Sequence, residues 1–290
     1  MITLTGIADE AGRDIETQIR AHRELGWDSI ELRLVDGKNI CGDLGDEAFE
    51  HAAACLEESC LQVTGFASAI GNWSRRIDGD FEIDLAELRR AIPRMQRLGA
   101  RFIRTMSWVG EGVPEEQWRD EALRRYAELA RIAGEGGIVL AHENCTGWGG
   151  LSGRHLRELV ETVGSPHLVV LFDVGNTISH GYEPWPFYRA VKDLVRYVHV
   201  KDCRAEPGGA RSQRYAYPGE GDACVREILA DLIASGYDGV VSIEPHVASI
   251  VHLGESTAPP DEIYASYLRY ARATEALLAE ARALAAGPAS

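Results

Sequence analysis

LAHEN (140–144), VLFDVGN (170–176), RYVHVKD (196–202) and VVSIEPH (240–246) are four apolar, strand-like runs, each ending in an acid or a histidine. A buried strand gains nothing from a charge at its end, and an unpaired charge taken out of water is costly. One such residue is commonly a salt-bridge partner or a hydrogen-bonded core histidine. Four in equivalent positions ask for a shared purpose, because chance salt bridges have no reason to repeat one placement. Glu143, Asp173, His199 and Glu244 are therefore read together, as candidate ligands of one divalent cation. Three carboxylates and one imidazole make a hard, mostly oxygen donor set, which suits Mn²⁺ first, then Mg²⁺, with Co²⁺ or Zn²⁺ as alternatives.

Outward from these runs, strand and helix patterns alternate along the whole chain. TLTGIAD (3–9), DSIELR (28–33), QVTGFAS (62–68) and RFIRTMSW (101–108) supply four earlier strand candidates. Helical periods lie between them, such as Leu85, Leu88, Ile92, Met95 and Leu98. Glycines close helices before the next strand in ELGWDSIEL, RLGARFIR, EGGIVLAHEN and ASGYDGVVSIE, and Asp84, Ser152 and Asp222 are expected N-caps. Pro93 should kink its helix or mark a late start. Eight βα units with no GxGxxG turn favour a closed (β/α)8 TIM barrel over an open doubly wound sheet. Residues 1–290 are read as one barrel domain, with an inserted loop near 203–221, a last helix over 261–285 and a frayed tail at 286–290.

Composition bounds the function. With 45% hydrophobic and 26% charged residues, the chain has ample material for a core. A formal net charge of −15 argues against a general phosphate-backbone binder, so no nucleic-acid partner is expected. No run approaches a membrane span and the N-terminus lacks the pattern of a signal peptide, so a cytoplasmic location is expected. The six cysteines are scattered without a CxxC pair and are read as reduced.

At HVKD, PGEGD (218–222) and IEPH, and over nearly its whole length, the chain resembles the sugar isomerase/epimerase superfamily with xylose-isomerase-like barrels. That group holds ketose epimerases, hydroxypyruvate isomerases, inosose dehydratases and, more remotely, endonuclease IV-type repair enzymes. The resemblance implies a metal held by Glu143, Asp173, His199 and Glu244. It also implies proton transfer by Glu143 and Glu244 next to a carbonyl, through an enediolate of an unphosphorylated ketose or keto-polyol. Many epimerases carry a histidine three residues after the Asp ligand, where this chain has Asn176. Asn176 can hydrogen-bond a hydroxyl but cannot titrate. DVGN thus brings in the alternative of an inosose-type dehydratase. It also weakens the nuclease reading, which needs further histidine ligands; a non-catalytic sugar-binding barrel is the remaining alternative.

Lys201, His246, Asn176, Arg211 and Trp108 are the expected substrate-binding residues. Lys201 lies two residues past His199, and His246 shares the strand face of Glu244. Arg211 belongs to the loop 203–221 and Trp108 to the end of strand four. Glu31, His142, Asn144 and Asp202 are further polar candidates near strand ends, and Trp73, Trp148 and Trp185 could wall the mouth. The expected partner is a small sugar or polyol, and a homo-oligomer is in keeping with the apolar, aromatic C-terminal helix.

Overall fold

In the computed structural model, residues 2–206, 213–250, 255–256 and 258–286 are described. Eight parallel strands follow in chain order: β1 (Thr3–Gly6), β2 (Ser29–Leu32), β3 (Gln62–Ala67), β4 (Phe102–Ser107), β5 (Val139–Gly147), β6 (Leu168–Asp173), β7 (Val195–Val200) and β8 (Val240–Ile243). Each pairs with its sequence neighbour from β2 to β8, and β8 pairs with β1. A parallel bridge from Ile7 to Glu31 links the last gap, so the sheet is a nearly closed barrel. Outside it lie α1 (Ile15–Leu25), α2 (Asp46–Ser59), α3 (Glu82–Leu98), α4 (Glu115–Glu135), α5 (Gly153–Val163), α6 (Pro184–Val191), α7 (Val225–Ala234) and α8 (Pro260–Ala286).

Strand alternation divides the buried side chains into two cores. One parity faces the helices and joins the large outer core, with Leu140, Val170, Phe172, Val198 and Val241. The other parity points inward, where Ala141, Leu171, Tyr197 and Val240 form a separate small cluster with Phe102 and Val169 at its edge. Two residues further along β5, β6 and β7 that same parity delivers Glu143, Asp173 and His199, and four residues past Val240, just beyond β8, it delivers Glu244. The apolar cluster is thus the floor on which the charged mouth stands.

Local punctuation follows the sequence in most places. Gly26 and Gly99 end α1 and α3 at φ of 74° and 66°, a left-handed turn that costs any other residue strain. Ser152 caps α5 by accepting from the His155 amide. Asp84 and Asp222 do not act as N-caps. Asp84 lies in the first turn of α3, where its carboxylate accepts from Gly71 N, Trp108 Nε1 and Arg75. Asp222 instead accepts from Ala205 N at 2.9 Å. The helix runs on through Pro93 from Glu82 to Leu98, so the proline marks no late start. The inserted loop expected after β7 contains two short strands, Asp202–Ala205 paired antiparallel to Gln213–Ala216. The tail beyond Ala286 lies outside the described residues. No described helix is long and apolar enough to cross a membrane.

His22 fastens the C-terminal helix to the barrel. Its Nδ1 lies 2.6 Å from the Ser29 carbonyl, which can only accept, so Nδ1 carries the proton and Nε2 accepts from Tyr267 OH at 2.9 Å. Burial pushes this histidine down to about 4, against the Ser29 bond. The unfolded chain therefore takes up a proton first, and stability present above pH ~6.5 is lost as pH falls toward 4. Urea unfolding at pH 7 and pH 5 should show this group costing about 2 kcal/mol over that interval. His22→Gln should remove that share of the slope; an unchanged slope would refute the assignment.

Candidate active site and metal centre

The mouth of the barrel opens into a cavity of about 890 Å³, whose wall includes Arg33, Arg104, Glu143, Asn176, Lys201, Tyr215, Glu244 and His246. At its base Glu143, Asp173, His199 and Glu244 each offer a ligand atom within 4.8 Å of the others, and all four side chains are buried. His199 Nδ1 is 3.7 Å from both Glu143 Oε1 and Glu244 Oε2, too far for a hydrogen bond. It and Glu143 Oε2 are buried without a hydrogen-bond partner. Leaving such groups unmatched costs about 1–3 kcal/mol each. A convergent oxygen and nitrogen set with orphaned atoms fits a divalent cation, and these are the residues that could hold one.

The opposite nitrogen of His199 is held from inside the barrel. Nε2 lies 3.1 and 3.2 Å from the two oxygens of Glu31, which also accepts from Tyr197 OH at 2.7 Å and Ser242 Oγ at 2.5 Å. Glu31 therefore does not reach the cavity as a substrate contact. It orients the imidazole so that Nδ1 faces the acids, the arrangement a metal-ligating histidine needs.

Three cations answer the acids. Arg33 spans Asp9 at 3.0 Å, Glu10 at 3.2 Å and Glu244 Oε1 at 3.0 Å. Lys201 Nζ lies 2.8 Å from Asp173 Oδ2 and 2.6 Å from Glu244 Oε2, and donates to Asn176 Oδ1 at 3.2 Å. Arg104 stands 3.6 Å from Glu143 and 3.8 Å from Glu244. Burial alone would raise every acid here. For Glu143 that push is outweighed by Arg104 and His199, and the carboxyl is held down to about 2. Glu244 is likewise held well below its usual range, by Lys201, His246 and His199 against burial. Asp173 goes the other way, raised to about 7 by burial with help from Glu244 and Glu143, which Lys201 does not offset. Glycine at 175 is needed for this grip: a Cβ there would sit 2.8 Å from Lys201 Cβ and Cγ.

The remaining expectations divide. Asn176 faces the site and donates to Glu143 Oε1 at 3.1 Å. His246, at the left-handed φ of 53°, takes the Glu10 carboxylate on its own amide and lies 5.0 Å from the Tyr215 ring at the cavity wall. Trp108 does not line the cavity. Its indole, at a left-handed φ of 56°, is fully buried in the outer core between Phe81 and Tyr126 and donates to Asp84. Trp148 is buried as well, whereas Trp73 is on the cavity wall. Asn144 spends its amide on the Asp173 backbone, and Asp202 accepts from the amides of Gly219 and Gly221. His142 is buried on the outer face against Tyr126. Arg211 lies outside the described residues. Sequence reading passed over Arg33, Arg104, Asp9 and Glu10. The two arginines carried a signal, since Arg33 shares the parity of Glu31 and Arg104 that of Phe102.

A model of the xylose isomerase-like TIM barrel matches residues 19–274. The chain belongs to that family. Within it, inosose dehydratase of Clostridium tetani is 22% identical over 142 residues, which is 45% of this chain and 47% of that enzyme. The chain thus aligns with about half the length of this relative. Among solved structures, L-ribulose 3-epimerase superposes with a TM-score of 0.75 at 18% identity, covering 98% of this chain and 97% of that one. The IolI protein with a bound zinc atom gives a TM-score of 0.75 at 16% identity, over 96% and 99%. These two likenesses show the shared fold.

Because Arg33 joins Asp9, Glu10 and Glu244, removing its charge should strand buried carboxylates. Arg33→Met is expected to lose about 3–5 kcal/mol in chemical unfolding at neutral pH. A loss under about 1 kcal/mol would mean the three ion pairs contribute no more than surface ones do.

Proposed function

We propose that the protein is a divalent-metal-dependent isomerase or epimerase of an unphosphorylated ketose or keto-polyol, with Mn²⁺ as the working ion. The observation that carries this reading is the pair Glu143 and Glu244. Both are buried, both are held below the usual carboxylate range by neighbouring cations, and they flank Asp173 and His199 at the base of a cavity large enough for a sugar.

A cation held by Glu143, Asp173, His199 and Glu244 would supply Lewis acidity to a carbonyl and its neighbouring hydroxyl. The chain's own groups do the rest. One glutamate takes the proton from the carbon beside the carbonyl and the other returns one. Return to the opposite face of the same carbon epimerises, and delivery to the neighbouring carbon, with the hydroxyl proton passing to the former carbonyl oxygen, isomerises. Asn176 orients Glu143, while Arg33 and Lys201 orient Glu244. Lys201 and Asn176 also present polar groups to substrate hydroxyls at the cavity wall. Trp73 and Tyr215 offer faces against which a sugar's C–H edges can pack.

A second reading, dehydration of an inosose-type cyclic hydroxyketone, is favoured by Asn176. It binds Glu143 and Lys201 at the position where many epimerases place a titratable histidine. The opening proton transfer is the same, and the product differs by loss of water.

Mn²⁺-loaded protein in D₂O should place deuterium into a ketose or inosose, and Glu244→Gln should slow that exchange about 100-fold or more. A product changed in mass only by deuterium supports the first reading, and loss of water the second. Exchange at the same rate in Glu244→Gln would sink the proton-transfer pair. Chelation should abolish turnover and Mn²⁺ restore it. Glu31→Ala should weaken metal binding about 10- to 100-fold by calorimetry, with Glu31→Gln closer to the parent because its carbonyl still accepts from His199.

A further inference from the structure

Among the described residues, three groups of acid, histidine and cysteine side chains bring ligand atoms within 4.8 Å of one another. One is the barrel centre. A second, Glu10, Glu244 and His246, already has the Arg33 guanidinium 3.2 Å from Glu10 and 3.0 Å from Glu244, so a metal there would meet a fixed positive charge. The third stands apart from the barrel mouth, in the helical layer: Glu16 on α1 with His51 and Cys55 on α2.

His51 and Cys55 are four residues apart and share one helix face, with Glu16 reaching across from the neighbouring helix. His51 Nε2 lies 3.0 Å from Glu16 Oε1, and Cys55 Sγ lies 3.9 Å from each of those two atoms. Around a tetrahedral zinc ion, with bonds of about 2.0–2.1 Å to nitrogen and oxygen and about 2.3 Å to sulfur, neighbouring ligand atoms sit roughly 3.3–3.6 Å apart. The three atoms already outline one face of that tetrahedron, to within about half an ångström. We propose that Glu16, His51 and Cys55 form a zinc site that clips α1 to α2.

The donor chemistry separates this site from the barrel centre. A thiolate, an imidazole and one carboxylate select a borderline-soft ion such as Zn²⁺ or Co²⁺, whereas three carboxylates and an imidazole accept Mn²⁺ and Mg²⁺. Burial, then the nearby Glu16 and Glu58, push the Cys55 thiol up, so without a cation it keeps its proton, while the same two acids favour a bound cation. His51 and Glu16 are 64% and 60% exposed, so metal can enter and the fourth position stays open to water. On binding, the thiol gives its proton to solvent as the Zn–S bond forms, and His51 binds through its Nε2 lone pair.

The test is Co²⁺ and Zn²⁺ titration of the chelator-stripped full chain beside Cys55→Ser, His51→Ala and Glu143→Gln. The expected result is a sulfur-to-cobalt absorption band in the parent and in Glu143→Gln, lost in Cys55→Ser. Zinc should also protect Cys55 from alkylation, and His51→Ala should weaken zinc binding at this site at least tenfold. Cys55→Ser and His51→Ala lie in the outer helical layer and should melt near the parent without metal, so loss of folding does not confuse the result. A band that persists in Cys55→Ser, its absence from the parent, or unchanged zinc binding in His51→Ala would overturn the proposal. None of these outcomes depends on the barrel's catalytic reading.

Discussion

Carboxylates crowded out of water are the constraint on which the mouth of this barrel depends. Asp9, Glu10, Glu143, Asp173 and Glu244 are all buried around one cavity, and like charges so placed would protonate or push the site apart if left alone. Arg33, Lys201 and Arg104 prevent part of that. Each spans at least two acids instead of pairing with one. A guanidinium is suited to the role of Arg33, because its planar fork presents donors in several directions at once. Glu10, Glu143 and Glu244 are thereby held below the usual carboxylate range, whereas burial leaves Asp9 and Asp173 raised.

That balance explains why the site is built in layers. Glu31, Tyr197 and Ser242 lie below the ligand atoms and fix His199 from within the barrel. Below them the inward cluster of Ala141, Leu171, Tyr197 and Val240 fills the interior. Tyr197 belongs to both layers, with its ring among apolar neighbours and its hydroxyl on Glu31. A polar network in a low-dielectric interior is stable only when its members are matched. His199 Nδ1 and Glu143 Oε2 are left unmatched where the donors converge.

The loops show how narrow backbone choices decide which polar groups reach the cavity. Trp108 and His246 both adopt left-handed φ, yet one side chain turns into the outer core and the other to the mouth. Asp202 looks from its position after β7 like a pocket residue, but the amides of Gly219 and Gly221 claim its carboxylate. A Cβ at 221 would lie 2.0 Å from that carboxylate, so PGEGD is shaped by close approach to Asp202. The motif positions the strand pair that brings Tyr215 over the cavity.

The order of strands and helices, the eightfold count and the four-residue cluster were legible in the sequence. Each rests on a short-range rule: a period of two in strands, a period near four in helices, and a charge that recurs at equivalent strand ends. Parity also held the inward direction of Arg33 and Arg104. Their partners could not be read, because Arg33 and Glu244 are 211 residues apart in the chain and meet only when β8 closes on β1. The caps at Asp84 and Asp222 were misplaced for a related reason, since both carboxylates bond to groups that distant folding brings near. Composition and spacing by themselves determined a barrel with acids and a histidine at one end. The tertiary structure alone decided which cation answers which acid and which aromatic ring faces the cavity, because those contacts join segments whose separation along the chain carries no local signal.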